Sequence, residues 1–143
     1  GLACDGTDAM YFVADKIELE TMLVAWKENA TSAKVKYGRL PAWDTSNVTD
    51  MIGLFYYDET FNENIGGWDT SSVTSIASAF GNANAFNENI GGWDTSKVTD
   101  MSELFCVYSW ACTHSNTNAQ SFNQDISGWD TSSVTSMRYM FAD

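Results

Sequence analysis

The residues of this 143-residue chain that could serve as a catalytic nucleophile, acid or base are few and scattered. A serine or cysteine triad needs a histidine beside the nucleophile, and the single histidine, His114, falls in an irregular segment. Asp58 and Glu59 are adjacent carboxylates that could transfer protons, but nothing in the sequence places them in a cleft. The chain has neither a glycine-rich phosphate loop nor a Cys/His zinc spacing. We therefore expect a protein that has no catalytic residues and no cofactor, and that is not an enzyme.

Four aspartates, each of which follows a tryptophan, recur along the chain at Asp44, Asp69, Asp94 and Asp130. If the segments that carry them stack, these like charges repel one another. The backbone N–H groups of the following D-T-S turn could cap each carboxylate, or a cation such as Ca²⁺ could lie between neighbours. D-T-S is good turn chemistry and lacks the ligand set of a calcium loop, so we expect turn caps and no metal site. For the same structural reason we expect an amide ladder from Asn62, Asn87 and Asn123.

Two columns of threonines recur with the same spacing and suggest an alternative function. Regular threonine arrays on a flat face are similar to ice-binding surfaces, and they could also bind carbohydrate. Charged aspartates precede the first column, however, and stacked repeats routinely use such hydroxyls for hydrogen bonds between neighbours. The columns comprise Thr45, Thr70, Thr95 and Thr131, and Thr49, Thr74, Thr99 and Thr135.

These residues belong to a repeat in which W-D-T-S-x-V-T begins at Trp43, Trp68, Trp93 and Trp129. The first two spacings are 25 residues, and the third is 36 because 11 extra residues lie between Phe105 and Phe122. A unit of this length cannot bury its own apolar side and must stack on a neighbour. We expect residues 41–143 to form a solenoid of about three and a half repeats, preceded by an N-terminal segment, residues 1–40.

The N-terminal segment contains the pattern of an amphipathic helix. Apolar residues lie at offsets of three, four, seven and eleven from Leu19, which is one helical face. Asp15 and Glu18 form a candidate capping box at its start. Because a stack of repeats exposes its apolar end unless something covers it, we expect this helix to be an N-terminal cap.

Each repeat contains V-T-x-[MI], as in Val48 to Met51, whose β-branched and apolar residues are typical of a short strand. Stacked repeats would pair these strands in parallel. Glycines lie farther along the chain, each directly before the tryptophan of the next repeat, and we expect the chain to bend there, at Gly67, Gly92 and Gly128. The predicted fold class is therefore an α/β repeat, a solenoid of parallel short strands with an N-terminal capping helix.

The 11-residue insertion and the equivalent edge of the first repeat are rich in aromatic residues. Rigid Tyr and Trp side chains on a protruding loop are the usual anchors of a protein interface. Cys106 and Cys112 are close enough in sequence to close a disulfide loop, and two reduced cysteines are the alternative. The aromatics could also fold back over the repeats. The candidate partner-binding residues are Tyr56, Tyr57, Tyr108 and Trp110.

The net charge of −12, with only seven basic residues, argues against nucleic acid or an anionic membrane as a partner. No apolar run approaches the roughly 20 residues of a spanning helix. The cysteine pair and the sequons at Asn29 and Asn47 favour an oxidising compartment. We expect an extracellular or cell-surface protein, or alternatively one in the lumen of an organelle.

The segment F-N-Q-D-I-S-G-W-D-T-S-S-V-T-S-M, from Phe122 to Met137, resembles the repeat of BspA-type leucine-rich-repeat surface proteins. The resemblance covers roughly residues 36–143. It implies a right-handed leucine-rich-repeat-like solenoid at the cell surface or outside the cell, used for protein interaction or adhesion. The chain stops midway through the fourth repeat, so we expect either that further repeats follow or that this end docks on another subunit of a larger assembly.

Overall fold

The computed structural model describes residues 10–106 and 121–142. Helix α1 spans Lys16–Glu28, and the predicted helix is confirmed. Asp15 is its N-cap and accepts a hydrogen bond from the backbone N–H of Glu18 at 2.9 Å. The Glu18 carboxylate reaches back and accepts from the N–H of Ala14 at 2.8 Å. Two of the free donors at the helix start are thereby satisfied.

A second helix, α2, spans Ala30–Tyr37 and was not predicted. Asn29 ends α1 and is the N-cap of α2, where its side chain accepts from the N–H of Ser32 at 3.0 Å. Gly38 then ends α2 at a φ of 76°, a conformation that glycine adopts at little cost. The Asn and Gly that flank this segment were the signal for a separate helix. A short 3₁₀ turn, Leu40–Ala42, leads into the first repeat.

The prediction of a solenoid of parallel strands is wrong, because residues 10–106 and 121–142 contain no strand. Asp50 explains the failure. Its side chain accepts from the N–H of Ile52 at 2.7 Å, and Gly53 has a φ of 63°, so the chain bends directly after the one bridged residue. Since a strand needs several consecutive extended residues, the pairing between neighbouring repeats is limited to one bridge position in each repeat. These parallel, isolated bridges join Asp50 to Ser75, Ser75 to Asp100 and Asp100 to Ser136, and a further one joins Phe12 to Asp44.

Successive repeats do stack, in a constant register, through hydrogen bonds at other points of the turn. The N–H of Gly53 donates to the carbonyl of Ala77 at 3.0 Å, and that of Phe55 donates to Ala79 at 2.9 Å. The equivalent bonds recur at the next two junctions. Backbone groups are thus paired between repeats without a continuous sheet, which meets the requirement that buried N–H and C=O groups find partners.

Aromatic rings form the core of the stack. Phe55, Phe80, Phe105 and Phe141 lie in one column with ring centroids 5.3 to 5.7 Å apart. A second column consists of Phe61, Phe86 and Phe122. In each repeat its ring stacks on the ring of the first column. The tryptophans form a third set of internal contacts. The indole N–H groups of Trp68, Trp93 and Trp129 each donate to a carbonyl of the preceding layer, as Trp93 does to Ile65 at 3.1 Å.

Helix α1 covers the first repeat, as the capping prediction required. Trp26 packs edge-on against Trp43, with ring centroids 6.0 Å apart. Lys16 donates to the carbonyl of Ile52 at 2.7 Å, and Lys27 pairs with Asp58 at 2.6 Å. The helix therefore places apolar and charged groups on the face that a preceding repeat would otherwise occupy.

The predicted bends at Gly67, Gly92 and Gly128 are confirmed as turns, but the closest approach between repeats falls on other glycines. A Cβ at Gly66 would lie 2.2 Å from the carbonyl oxygen of Asn89, and one at Gly91 would lie 2.3 Å from that of Asp125. By contrast, a Cβ at the predicted bend residue Gly92 would meet nothing within 4 Å. The close approach of neighbouring repeats thus falls on the first glycine of each pair.

Candidate interaction surface

Tyr56 and Tyr57 lie side by side on the edge of the first repeat and are 44% and 50% exposed. Their rings meet edge-on, with centroids 4.6 Å apart. The Tyr56 ring lies over Gly81, where an added Cβ would come within 2.7 Å of it. Gly81 occupies the position of Tyr56 in the next repeat, so the bare glycine makes room for the ring. This role of Gly81 was missed, although its place in the repeat was a signal.

The backbone of Tyr57 adopts a left-handed conformation, with a φ of 58°. Asn82 occupies the equivalent position of the second repeat with a φ of 57°. Asparagine tolerates this conformation, whereas it costs most L-residues about 1–2 kcal/mol. Asn82 is 3% exposed and Tyr57 is 50% exposed. Tyr57 therefore has a strained backbone although half of its surface is exposed to solvent, so burial in the core does not explain why a tyrosine occupies this position.

Hydrogen bonds hold the backbone of both tyrosines. The N–H of Tyr57 donates to the carbonyl of Gly81 at 2.9 Å, and that of Tyr56 donates to Gly53 at 3.0 Å. Burial, then the neighbouring Tyr57, raises the pKa of Tyr56 above its ordinary value. The pair is an aromatic surface with hydroxyl groups at its edge, the composition typical of interface anchors.

Asp58 follows this pair but is not a free acid. Its carboxylate lies 2.6 Å from the ammonium of Lys27, and only 13% of its side chain is exposed. A cavity of about 220 Å³ adjoins it, with Trp26 and Glu63 among its lining residues. The ion pair joins α1 to the first repeat and so contributes to the cap.

The aspartates after each tryptophan are capped within their own turns, as predicted. Asp94 accepts from the N–H of Ser96 at 3.0 Å and from its hydroxyl at 2.6 Å. These bonds, the hydroxyl first, lower the pKa of Asp94. Equivalent N–H bonds are made at the other three members of the column, Asp44, Asp69 and Asp130. Among residues 10–106 and 121–142, no group of three or more His, Cys, Asp or Glu side chains could hold a metal ion.

The asparagine column also links neighbouring repeats, but through the backbone. The side chain of Asn62 accepts from the N–H of Asn87 at 2.8 Å, and that of Asn87 accepts from the N–H of Asn123 at 2.8 Å. Each amide side chain thus joins one repeat to the next.

Three of the four threonines of the first column are turned inward. The hydroxyls of Thr45, Thr70 and Thr95 donate to carbonyls of the next repeat at 3.0 to 3.1 Å, and all three residues are buried, whereas Thr131 in the last repeat is exposed. The second column is exposed, but the hydroxyls of Thr74, Thr99 and Thr135 donate to the preceding repeat, as Thr74 does to Thr49 at 3.1 Å. These threonines therefore serve first to join repeats, and the three buried ones present no hydroxyls to ice or to a sugar.

The other candidate residues fall outside the described part of the chain, so the rim they were expected to share with Tyr56 and Tyr57 stays a prediction. They are Tyr108, Trp110 and Cys112. Cys106 is buried, at 4% exposure. In the described residues, no helix is both long and apolar enough to cross a membrane.

The chain was compared with known families, curated proteins and solved structures. The sequence model of the family DUF285, described as "Mycoplasma protein of unknown function", matches residues 18–142. No curated protein and no solved structure matches the chain. Because the match covers both helices and all four repeats, the chain belongs to the DUF285 family.

Proposed function

We propose that this protein is a non-catalytic protein-interaction or adhesion module, and that Tyr56 and Tyr57 lie at the centre of its contact surface. We further propose that it acts at the cell surface or outside the cell, in the manner of the BspA-type proteins that its repeats resemble. The lumen of an organelle is the alternative location.

The observation that carries the proposal is the left-handed backbone of Tyr57 at half exposure. Strained conformations persist where the surroundings enforce them, and they cluster at functional sites. At the equivalent position of the second repeat the backbone has the same geometry, and the residue there is Asn82, which tolerates this geometry better. A tyrosine at this position of the first repeat carries backbone strain and leaves half of an aromatic ring in water. A partner that covers the ring would account for its exposure.

The rigidity of the pair favours tight binding, since little side-chain freedom remains to be lost. Association costs about 0.5–1.5 kcal/mol for each rotamer-rich side chain that becomes fixed. The Tyr56 ring already lies on Gly81 and against Tyr57. Much of the cost of fixing the side chain is therefore incurred when the protein folds, before a partner binds. Tyr108 and Trp110, in the insertion, are proposed as further contacts of the same surface.

The experiment is capture of partners from the organism that makes the protein, with the parent chain and a Tyr56→Ala, Tyr57→Asn double variant as baits. Tyr139→Asn is a matched control, because Tyr139 also has a positive φ, 56°, and is 55% exposed, but lies in the fourth repeat. We expect a stoichiometric partner on the parent and on the control, and none on the double variant. Retention of the same partner by a folded double variant would place the contact surface elsewhere.

A further inference from the structure

Two carboxylates that have no basic partner flank the surface formed by Tyr56 and Tyr57. Glu59 follows the pair by two residues, Glu103 lies in the third repeat, and both side chains are exposed. Among residues 10–106 and 121–142, no ammonium or guanidinium group forms an ion pair with either carboxylate. A cation of a partner can therefore approach them without displacing an internal one.

Glu103 belongs to the same surface as the tyrosines although it lies two repeats away. The ring of Tyr56 lies over Gly81 of the second repeat. The N–H of Gly81 donates to the carbonyl of Ser78 at 3.1 Å, and the Ser78 hydroxyl donates to the Glu103 carboxylate at 3.5 Å. Burial, then Tyr57, and also the negative charge of Glu103 raise the pKa of Tyr56. The aromatic pair and this carboxylate thus act on one ligand-accessible surface.

Lysine and arginine are absent from the segments that carry the tyrosine pair and its equivalents in the next two repeats. We call these segments the rim, and they are residues 56–60, 81–85 and 106–121. The rim contains Asp58 and Glu59 but no Lys or Arg, and Asp58 is paired with Lys27 of α1. Five of the seven basic residues of the chain lie within residues 1–40. The rim therefore has no lysine or arginine of its own to lie on the tyrosine rings.

Tyr139 shows how a tyrosine of this protein takes a cation. The guanidinium carbon of Arg138 lies 4.7 Å from the centroid of the Tyr139 ring, and its Nη2 donates to the Tyr139 hydroxyl at 3.2 Å. A guanidinium is attracted to the face of an aromatic ring, and its planar fork also forms paired hydrogen bonds with a carboxylate. The surface at Tyr56 and Tyr57 offers both kinds of group.

We propose that the protein partner presents an arginine to this surface, with its guanidinium on the tyrosine rings and paired with Glu103. Glu59 adds to the attraction of a basic segment. An acidic segment would instead bring like charges together at both carboxylates, which charge complementarity disfavours. This inference rests on the proposed function, because it names the chemistry of the segment that the same tyrosines bind.

The probe is the acetylated peptide Gly-Arg-Gly-Arg-Gly, with a matched peptide in which citrulline replaces both arginines. Citrulline keeps nearly the same shape and polarity but carries no charge. NMR spectra of the chain are recorded during titration with each peptide at low ionic strength, where exposed charges are little screened. We expect the arginine peptide to shift the amide signals of Tyr56, Tyr57 and Glu103 most strongly, and the citrulline peptide to leave them nearly unshifted.

Two variants with the same loss of charge test the role of the carboxylate. Glu103→Gln should raise the dissociation constant of the arginine peptide about two- to fivefold, the range of an exposed ion pair. Glu88→Gln is the matched control, because the fourth repeat already has a glutamine, Gln124, at the equivalent position. This control should leave the dissociation constant unchanged. Equal shifts with the two peptides, shifts centred on another acidic part of the surface, or equal effects of the two variants would overturn the proposal.

The partner captured by the parent chain distinguishes a failure of this inference from a failure of the proposed function. We expect both the tyrosine double variant and a Glu59→Gln, Glu103→Gln double variant to weaken its capture. If only the tyrosine variant loses the partner, the contact surface is retained and the arginine proposal is wrong. If the tyrosine variant keeps the partner, the proposed function is wrong and this inference fails with it.

Discussion

Glu103 occupies a position at which every repeat has a left-handed backbone, and its replacement by glycine should give a more stable protein than its replacement by alanine. Its φ is 56°, and the equivalent residues Gly53, Ser78 and Tyr139 have values of 63°, 54° and 56°. An L-residue pays about 1–2 kcal/mol in this region, whereas glycine does not. Glycine loses about 0.5–1 kcal/mol more backbone entropy on folding than alanine. We therefore expect Glu103→Gly to be more stable than Glu103→Ala by about 0.5–1 kcal/mol.

The alanine variant is the reference because both substitutions remove the same charge and the same exposed side chain. Lys97 lies in the same repeat, is exposed, and is not among the described residues with a positive φ. There the order should reverse, and Lys97→Gly should be less stable than Lys97→Ala by about 0.5–1 kcal/mol. Urea or thermal unfolding measures both differences, at about 2–4 °C per kcal/mol for a chain of this size. Glycine less stable than alanine at position 103 would refute the reasoning from backbone strain.

Three further predictions follow from the contacts between repeats. Trp93→Phe should destabilise by about 0.5–1.5 kcal/mol because it removes one of the two hydrogen bonds that the Ile65 carbonyl accepts, the other being donated by the N–H of Trp68 at 3.1 Å; Trp43→Phe should cost less in urea unfolding, since the buried indole N–H of Trp43 has no partner in the described residues. Gly91→Ala should lower the melting temperature because of the 2.3 Å approach, whereas Gly92→Ala should leave it near that of the parent. Ser96→Ala should reduce the loss of stability at low pH. Because folding lowers the pKa of the Asp94 carboxylate, this group stabilises the protein above its unfolded pKa of about 4, and the contribution is lost as the pH falls through its folded pKa. An equally steep decline in urea titrations below pH 4 would contradict this assignment.

The sequence predicted the features that depend on local chemistry or on the repeat period. Helix α1 follows from the spacing of Leu19, Met22 and Leu23, all of which are buried. The capping of Asp94 follows from turn chemistry within three residues.

The strands were predicted wrongly because β-branched residues were taken as evidence of extended backbone. Val73 and Thr74 do contact neighbouring repeats, but the N–H of Val73 donates within its own turn to Thr70 at 2.9 Å. Ser75 is the one bridged residue of its repeat and pairs with both Asp50 and Asp100, and its hydroxyl accepts from the N–H of Ala77 at 3.3 Å. Turns on both sides therefore limit the extended segment. The β propensity of the residues does not show that local turns compete with the extended conformation.

The sequence predicted which residues belong to the candidate site but not their geometry. The aromatic pair at residues 56 and 57 was visible in the sequence, but the left-handed backbone of Tyr57 was not. Nor was the fit of the Tyr56 ring over Gly81, because that contact joins two repeats whose register depends on the whole stack. The close approach at Gly66 was missed for the same reason, because only its distance to the carbonyl oxygen of Asn89 shows it.

The most direct test of the central claim measures stability and partner binding on the same Tyr57→Asn protein. Asparagine relieves about 1–2 kcal/mol of backbone strain and loses an aromatic contact of about 0.5–1.5 kcal/mol, so the two changes roughly offset each other. The account predicts a free energy of unfolding within about 1 kcal/mol of the parent, together with loss of the captured partner. A marked loss of stability with the partner still bound would contradict it, because Tyr57 would then serve the fold and not an interface.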